Sequence, residues 1–420
     1  MRESIEGKEM RILHLLYESK HDYFGIGGVG IRAYEIYKYL KDRHDITLLC
    51  KKYPGAQNRE IERLRHIFAG TESKSLTKTL LSYAFQAALF VKRNGDEFDI
   101  IIEEFSPAIP TFLNLYKKRP VVLQIQGYTG KQYFGKYNIA YALFLYTLEH
   151  LRPMFYDNFI FVNQETQKKL LPKSFLKSPL PPFTKGGCGG ITSSKGVSSN
   201  SKGFSSLKTK RYIELISNGV SPELLTISPD EGDYILYLGR IDIHHKGLDI
   251  LLTAYKEFRK TFASVRLVIA GDGRDIVRFK MLLDKLPDGV KENIELSGWV
   301  SDKVKEVVLK NALFAVFPSR YEVQPIAVLE AMACGKAVIV SDISELSYVI
   351  KNKAGISFKT GDSISLGQSM KDLMTSNERK EMGQRGRAYV KDFTWDSIAL
   401  QYEKFLLDVS NQKGNGVHKK

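Results

Sequence analysis

Two successive runs of short β-rich segments, each alternating with helical patterns, constrain this chain more than any other feature. In the first run MRILHLL (10–16), DITLLC (45–50), DIIIEE (99–104), VVLQIQ (121–126) and FIFVN (159–163) read as strands. AYEIYKYLKD (33–42) reads as a helix with Ile36, Tyr39 and Leu40 on one face. The second run starts near Tyr234. YILYLGR (234–240), VRLVIAG (265–271), NIELSG (293–298), LFAVFPS (313–319) and AVIVSD (337–342) read as strands, with helices at 247–260 and 325–335. Such alternation predicts parallel sheets with crossover helices. The chain is therefore expected to hold two doubly wound α/β units, with the cleft between them as the natural ligand site.

Composition narrows the class. With 420 residues, 43% hydrophobic and 26% charged, a disordered or disulfide-stapled chain is excluded, and two to three domains are expected. Cys50, Cys188 and Cys334 are too few and too scattered for a disulfide frame or a zinc site, which favours a reducing, cytoplasmic setting. Residues 1–10 lack an apolar core, so no signal peptide is expected. The longest mostly apolar stretch, Ile326 to Val340, is broken by Glu330 and Lys336, so no membrane span is expected either. The charge is uneven. Residues 1–210 hold 32 Lys and Arg against 19 Asp and Glu, or +13, whereas 211–420 hold 30 against 28, or +2. A basic first half suits an anionic partner, and an anionic membrane surface is one candidate. The aromatic-rich helical stretches 76–92 and 137–151 are where such docking would occur, unless they are core helices covering the sheet. Residues 177–210, rich in Gly, Ser, Pro and Lys, read as a flexible insertion.

Several residues carry chemistry. Gly25, Gly27, Gly28 and Gly30 follow the first strand and precede a helix. Glycines there let backbone approach a ligand, and a helix N-terminus favours negative charge. The spacing is not that of a dinucleotide fingerprint, and no acid follows the second strand. Arg240 ends a strand and Lys246 stands just before a helix, so two cations at a strand–helix turn form a candidate phosphate clamp. His244 and His245 are adjacent and read as loop residues rather than metal ligands. The sharpest feature is PSRYEVQPIAVLEAMACGKAVIVSD (318–342), with Glu322 in a loop and Glu330 in the next helix. Carboxylates beside phosphate-binding cations suit an activated sugar carried on a diphosphate. A glycosidase pair is the other reading of two acids.

These motifs resemble retaining glycosyltransferases of the GT-B fold, glycosyltransferase family four (glycosyl transferases group one). The resemblance runs through Gly27-Gly28-Val29-Gly30, Asn218-Gly219-Val220, Gly239-Arg240, Lys246-Gly247, Gly271-Asp272-Gly273, Gly298-Trp299-Val300 and the Glu322–Glu330 motif ending in EAMACGKAVI. FTWDSIALQYEKFLLD (393–408) resembles the family's closing helix. What the resemblance implies is an α/β GT-B architecture of two Rossmann-like domains facing a central cleft. An acceptor-side domain would occupy 1–212 and a nucleotide-sugar donor domain 213–395. A closing helix would follow at 396–412 and a tail at 413–420.

It further implies that Arg240 and Lys246 hold and stabilise the leaving diphosphate, so that neither a divalent metal nor a cofactor is needed. Glu330 would hold the ribose and Glu322 the donor sugar. Trp299 and Val300 would flank the base. Gly28 and Gly30, with Gln324, Pro325 and Ile326, would contact the donor. Gln126 would line the acceptor or donor-sugar pocket, where the family often has histidine. Tyr348 stands where the family often has glutamate, and Val323-Gln324-Pro325 replaces a glycine-containing loop. The expected activity is retaining transfer of a hexose from a nucleotide-diphosphate sugar to a glycan or lipid-linked acceptor, in cell-surface polysaccharide or lipopolysaccharide synthesis. It would take place in the cytoplasm or peripherally at the inner face of the plasma membrane. The competing readings are an inactive assembly partner, an epimerase or phosphorylase of the same architecture, and a nucleic-acid binder. No nucleic-acid module is recognised, so nucleic acid is not an expected partner.

Overall fold

The computed structural model describes residues 9–20, 25–115, 119–172 and 211–411. The stretch 177–210, with Cys188, and the tail 413–420 lie outside them. The chain divides into two compact units. One comprises Met1–Ser217 with Ala399–Lys420, and the other Asn218–Ile398. The sequence boundaries stood at 212/213 and 395/396. Both units are α/β, each with a mainly parallel sheet and crossover helices, which is the expected fold class. Among the described residues no helix is long and apolar enough to cross a membrane.

The first unit holds β1 (Arg11–Leu15), β2 (Asp45–Lys51), β3 (Arg59–Ile61), β4 (Leu64–Ala69), β5 (Ile100–Glu104), β6 (Val121–Ile125), β7 (Asn158–Phe161) and β8 (Tyr212–Leu215). Their order is β3-β4-β2-β1-β5-β6-β7-β8, and only β3 runs antiparallel to its neighbour. Three of these strands, β3, β4 and β8, escape the sequence reading. β4 carries Arg65 and His66 in its middle, and β8 is a half-exposed edge, so neither shows an apolar run. The helix Gly28–Leu40 turns Ala33, Ile36, Tyr37 and Leu40 inward, and Tyr39, expected on that face, is exposed. Spacings of three and four keep 33, 36, 37 and 40 on one stripe, and 39 falls outside it. The helix Trp395–Asn411 packs Tyr402 edge-on against Tyr37, and its Glu403 Oε1 is 2.8 Å from His44 Nε2.

The second unit holds β9 (Tyr234–Leu238), β10 (Arg266–Ala270), β11 (Ile294–Gly298), β12 (Ala312–Phe317), β13 (Val338–Ser341) and β14 (Gly355–Phe358). All pairings are parallel, in the order β11-β10-β9-β12-β13-β14. This is the doubly wound order, which reverses between β9 and β12. Successive residues divide between two cores. Tyr237, Leu267, Ile269, Val316 and Ile339 fill one. Leu236, Val268, Ala270, Ala315 and Val338 fill the other. A sheet buried on both faces needs apolar residues at every position, hence continuous runs rather than alternation.

Candidate functional site

The strand order switches between β9 and β12, and at the carboxyl ends of such a pair doubly wound folds place their ligand crevice. Arg240 and Lys246 follow β9, and Glu322 follows β12. The Lys246 ammonium is ion-paired with Glu322 Oε1, which also accepts from Ser319 Oγ at 2.8 Å. Arg240 is exposed, and among the described residues no carboxylate lies within ion-pair reach of it. Its carbonyl oxygen accepts from the Tyr237 hydroxyl at 2.8 Å. Glu330, on the helix Ile326–Ala333, is 9% exposed and accepts from Lys305 Nζ at 2.6 Å. At the start of that helix the Val328 and Leu329 N–H groups donate to the Pro325 carbonyl oxygen, and no acceptor faces those of Ile326 and Ala327 among the described residues. An open helix N-terminus of this kind attracts an anion.

Two loops are locked together here. The His245 ring stacks on Tyr321 at 4.0 Å, and its Nε2 lies 2.9 Å from the Tyr321 carbonyl oxygen. Burial, and after it Lys246 and Arg240, hold this imidazole well below the usual histidine range. Arg320 donates to the His244 carbonyl oxygen at 2.7 Å and grips Asp249 through both terminal nitrogens. Gly247 sits at φ +66, and a Cβ there would lie 2.0 Å from the Pro318 carbonyl oxygen. The lysine loop can therefore lie against the glutamate loop only with glycine at 247. Gly247→Ala is expected to destabilise the second unit by on the order of 3 kcal/mol. Gly28→Ala, where a Cβ meets open space, should change stability by less than about 1 kcal/mol. Urea denaturation of both variants measures the contrast.

The remaining second-unit candidates divide. Trp299 is 57% exposed and available. Val300 is not, because its side chain is buried in the core with Val268, Ala270 and Leu309. Gln324 is also committed. Its Oε1 accepts from the Asn218 N–H and its carbonyl oxygen from Asn218 Nδ2, both at 2.7 Å. The Tyr348 ring stacks on Tyr389, and its hydroxyl is buried without a hydrogen-bond partner among the described residues.

In the first unit the glycine turn differs from expectation. Glu18 Oε2 accepts from the N–H groups of Gly27 at 2.9 Å and Gly30 at 2.8 Å. A carboxylate therefore already occupies the N-terminus of the helix Gly28–Leu40. Gly30 has no N–H left for a diphosphate, and the negative charge opposes one. Gly28 remains exposed. Gln126 belongs to a polar cluster. Glu104 Oε1 accepts from Gln124 Nε2 at 2.5 Å and Gln126 Nε2 at 2.9 Å, and it lies 3.1 Å from His14 Nε2. With its amide nitrogen held there, Gln126 presents its carbonyl oxygen, an acceptor for a hydroxyl.

Sequence reading missed Lys305, Ser319, Glu18 and Glu104. Lys305, Glu18 and Glu104 act through partners 9 to 90 positions away, which no local pattern announces, whereas Ser319 lies three residues before Glu322 and its spacing could have pointed to it. Among the described residues no group of three or more His, Cys, Asp or Glu side chains is arranged to hold a metal ion.

The family model described as glycosyl transferases group 1 matches residues 226–389. The match lies within the second unit, Asn218–Ile398. The chain is 30% identical over 205 residues to an uncharacterized glycosyltransferase of Methanocaldococcus jannaschii, covering 47% of this chain and 54% of that protein. It is 29% identical over 195 residues to a phosphatidyl-myo-inositol mannosyltransferase of Mycobacterium leprae, covering 44% and 51%. The chain thus spans about half the length of the curated relatives it matches. In fold it is similar to Anabaena HepE, solved in complex with UDP-glucose, at a TM-score of 0.66 and 16% identity over 95% of this chain and all of that one.

Proposed function

We propose that the protein is a retaining hexosyltransferase, moving a hexose from a nucleotide-diphosphate sugar to a hydroxyl of a glycan or lipid-linked acceptor. The observation that carries this reading is the Lys246–Glu322 pair at the switch point of the second-unit sheet, within the segment matched by the group 1 model, with the exposed Arg240 on the same strand–helix turn. An arriving diphosphate takes Lys246 and Arg240 as counter-ions, and the free N–H groups of Ile326 and Ala327 add the helix dipole. These groups neutralise the leaving charge, so the reaction runs without a divalent metal. Glu322, held by Ser319, accepts from the sugar hydroxyls. Glu330 accepts from the ribose through the oxygen that Lys305 leaves free, and Trp299 lies along the base.

Retention follows from same-face transfer. The bond from the sugar carbon to the leaving phosphate oxygen breaks as the acceptor oxygen bonds to that carbon. The departing phosphate oxygen takes the acceptor's proton. In the first unit, the domain read as acceptor-side, Gln126 offers its carbonyl oxygen to a hydroxyl of the acceptor or the sugar. The UDP-glucose bound by HepE supports a nucleotide sugar as donor. The phosphatidyl-myo-inositol mannosyltransferase of Mycobacterium leprae supports a lipid-linked acceptor, and the transfer would serve cell-surface polysaccharide or lipopolysaccharide synthesis. Cys50 and Cys334 are buried as thiols rather than disulfides, which suits a cytoplasmic setting.

A panel of UDP-, GDP- and ADP-sugars tests the donor class. At a hundredfold excess over Kd the correct one stabilises the native state by about 2.7 kcal/mol, a melting shift of roughly 5–10 °C. A flat response to every sugar nucleotide at millimolar concentration removes the reading. Label passing from the sugar nucleotide into an organic-soluble acceptor separates a transferase from an epimerase or phosphorylase.

A further inference from the structure

The helix Ile139–Leu151 is apolar on almost every side, yet it is buried only along the stripe Ala142, Leu145 and Glu149. A helix apolar all round is normally enclosed. Here Ile139 is 77% exposed, Leu143 54% and Phe144 50%. The flanking turns add exposed Phe134, Met154 and Phe155 to the same stretch of chain. Scattered apolar side chains on a surface need no partner, but a continuous run of this size marks a binding face.

The charges around it indicate the partner. Between 131 and 155 the exposed charged side chains are Lys131 and Lys136. Arg152 is fully buried on Glu103. The segment's one acid, Glu149, is also buried. It accepts from the Thr129 and Gly130 N–H groups at 2.8 and 2.7 Å and from the Tyr133 hydroxyl at 3.1 Å. The segment 131–155 therefore combines aliphatic and aromatic side chains with ammonium groups, the one of Lys136 lying over the Tyr137 ring, and carries no exposed carboxylate of its own. Protein interfaces deplete lysine, whereas anionic headgroups attract it. Tyr137 and Tyr141, edge to face at 5.2 Å, are half apolar and half polar, as rings at a headgroup boundary are. Thirteen residues make a helix about 20 Å long, short of the roughly 30 Å hydrocarbon core, so it would lie along the surface rather than cross it.

We propose that this face, residues 131–155, docks on an anionic lipid bilayer, with the apolar side chains at the acyl boundary and Lys131 and Lys136 on lipid phosphates. The assignment stands on exposure and charge, and it holds whether or not the transferase reading does.

Cosedimentation of the full chain with vesicles tests it. The chain should pellet with mixed phosphatidylcholine–phosphatidylglycerol vesicles, much less with phosphatidylcholine alone, and less as salt rises. Lys136→Ala should weaken partitioning about fivefold. The double variant Leu143→Ser, Phe144→Ser should weaken it at least about tenfold. Both substitutions lie on the surface, and an unchanged melting temperature shows that the variants fold. Four results overturn the proposal: a chain that stays in the supernatant with anionic vesicles, equal pelleting on neutral and anionic vesicles, variants that pellet like the parent, or a dimer in gel filtration that Leu143→Ser, Phe144→Ser breaks into monomers, since then a second copy covers the face.

Discussion

Lys246→Ala is expected to lower sugar-transfer turnover by about 100-fold or more, because a charge aimed at a leaving group typically supplies about 3–4 kcal/mol. The ammonium is the cation that the fold holds against Glu322, and Gly247 lets its loop lie against the glutamate loop. Its removal leaves Arg240 to meet the diphosphate alone. Lys246→Arg should recover little of the loss, since a planar fork does not replace a compact ammonium in a packed pocket. The pair's side chains are only 16% and 11% exposed, so the variant should also lose some stability, and circular dichroism should confirm that it is folded where its rate is read. The measurement is turnover under donor saturation. A rate equal to the parent's takes Lys246 out of the reaction.

The largest expected loss of stability comes from a different place. Arg152 is fully buried, ion-paired with Glu103, and donates to Thr111 Oγ1 at 3.1 Å and the Ser106 carbonyl oxygen at 2.8 Å. Glu103 also accepts from the Tyr156 hydroxyl at 2.5 Å. The cluster ties the end of the helix Ile139–Leu151 to β5. Burial already pushes the Glu103 carboxyl up, with Arg152 opposing. Arg152→Met leaves that carboxylate buried without its counter-ion and should cost the first unit about 3–5 kcal/mol.

The pH dependence has a definite sign. A folded-state carboxyl raised above its unfolded value binds more protons in the fold, so stability falls as pH rises through that range. The deficit of Arg152→Met should therefore shrink as pH drops toward the ordinary glutamate range. Replacing Glu103 by methionine as well should recover most of the loss, because two apolar side chains carry no desolvation cost. Urea titration of the single and double variants across pH checks both. A single variant as stable as the parent rules out the ion pair as the anchor of this helix.

The alternation of apolar runs and helical patterns made the central strands of both sheets legible, while β3, β4, β8 and β14 went unread, and the glycine, cation and acid residues after the second-unit strands were visible as candidate chemistry. Strand and helix periods are local: a few neighbouring residues set which side chains share a face. The doubly wound order then brings the ends of β9 and β12 together wherever those strands fall.

Tertiary structure decided the rest. Glu18 reaches the turn at Gly27 and Gly30, closing an anion site that the glycines alone would leave open. Lys305 meets Glu330 across 25 positions and Glu104 meets Gln126 across 22. The stretch 137–151 reads more readily as a core helix than as a surface one, and only its neighbours leave Ile139, Leu143 and Phe144 outside. Hydrogen bonds and ion pairs depend on separations of a few ångströms between groups far apart along the chain, and burial depends on what else packs nearby. The sequence names the chemical groups, and packing decides which of them are already engaged and which remain to meet a ligand.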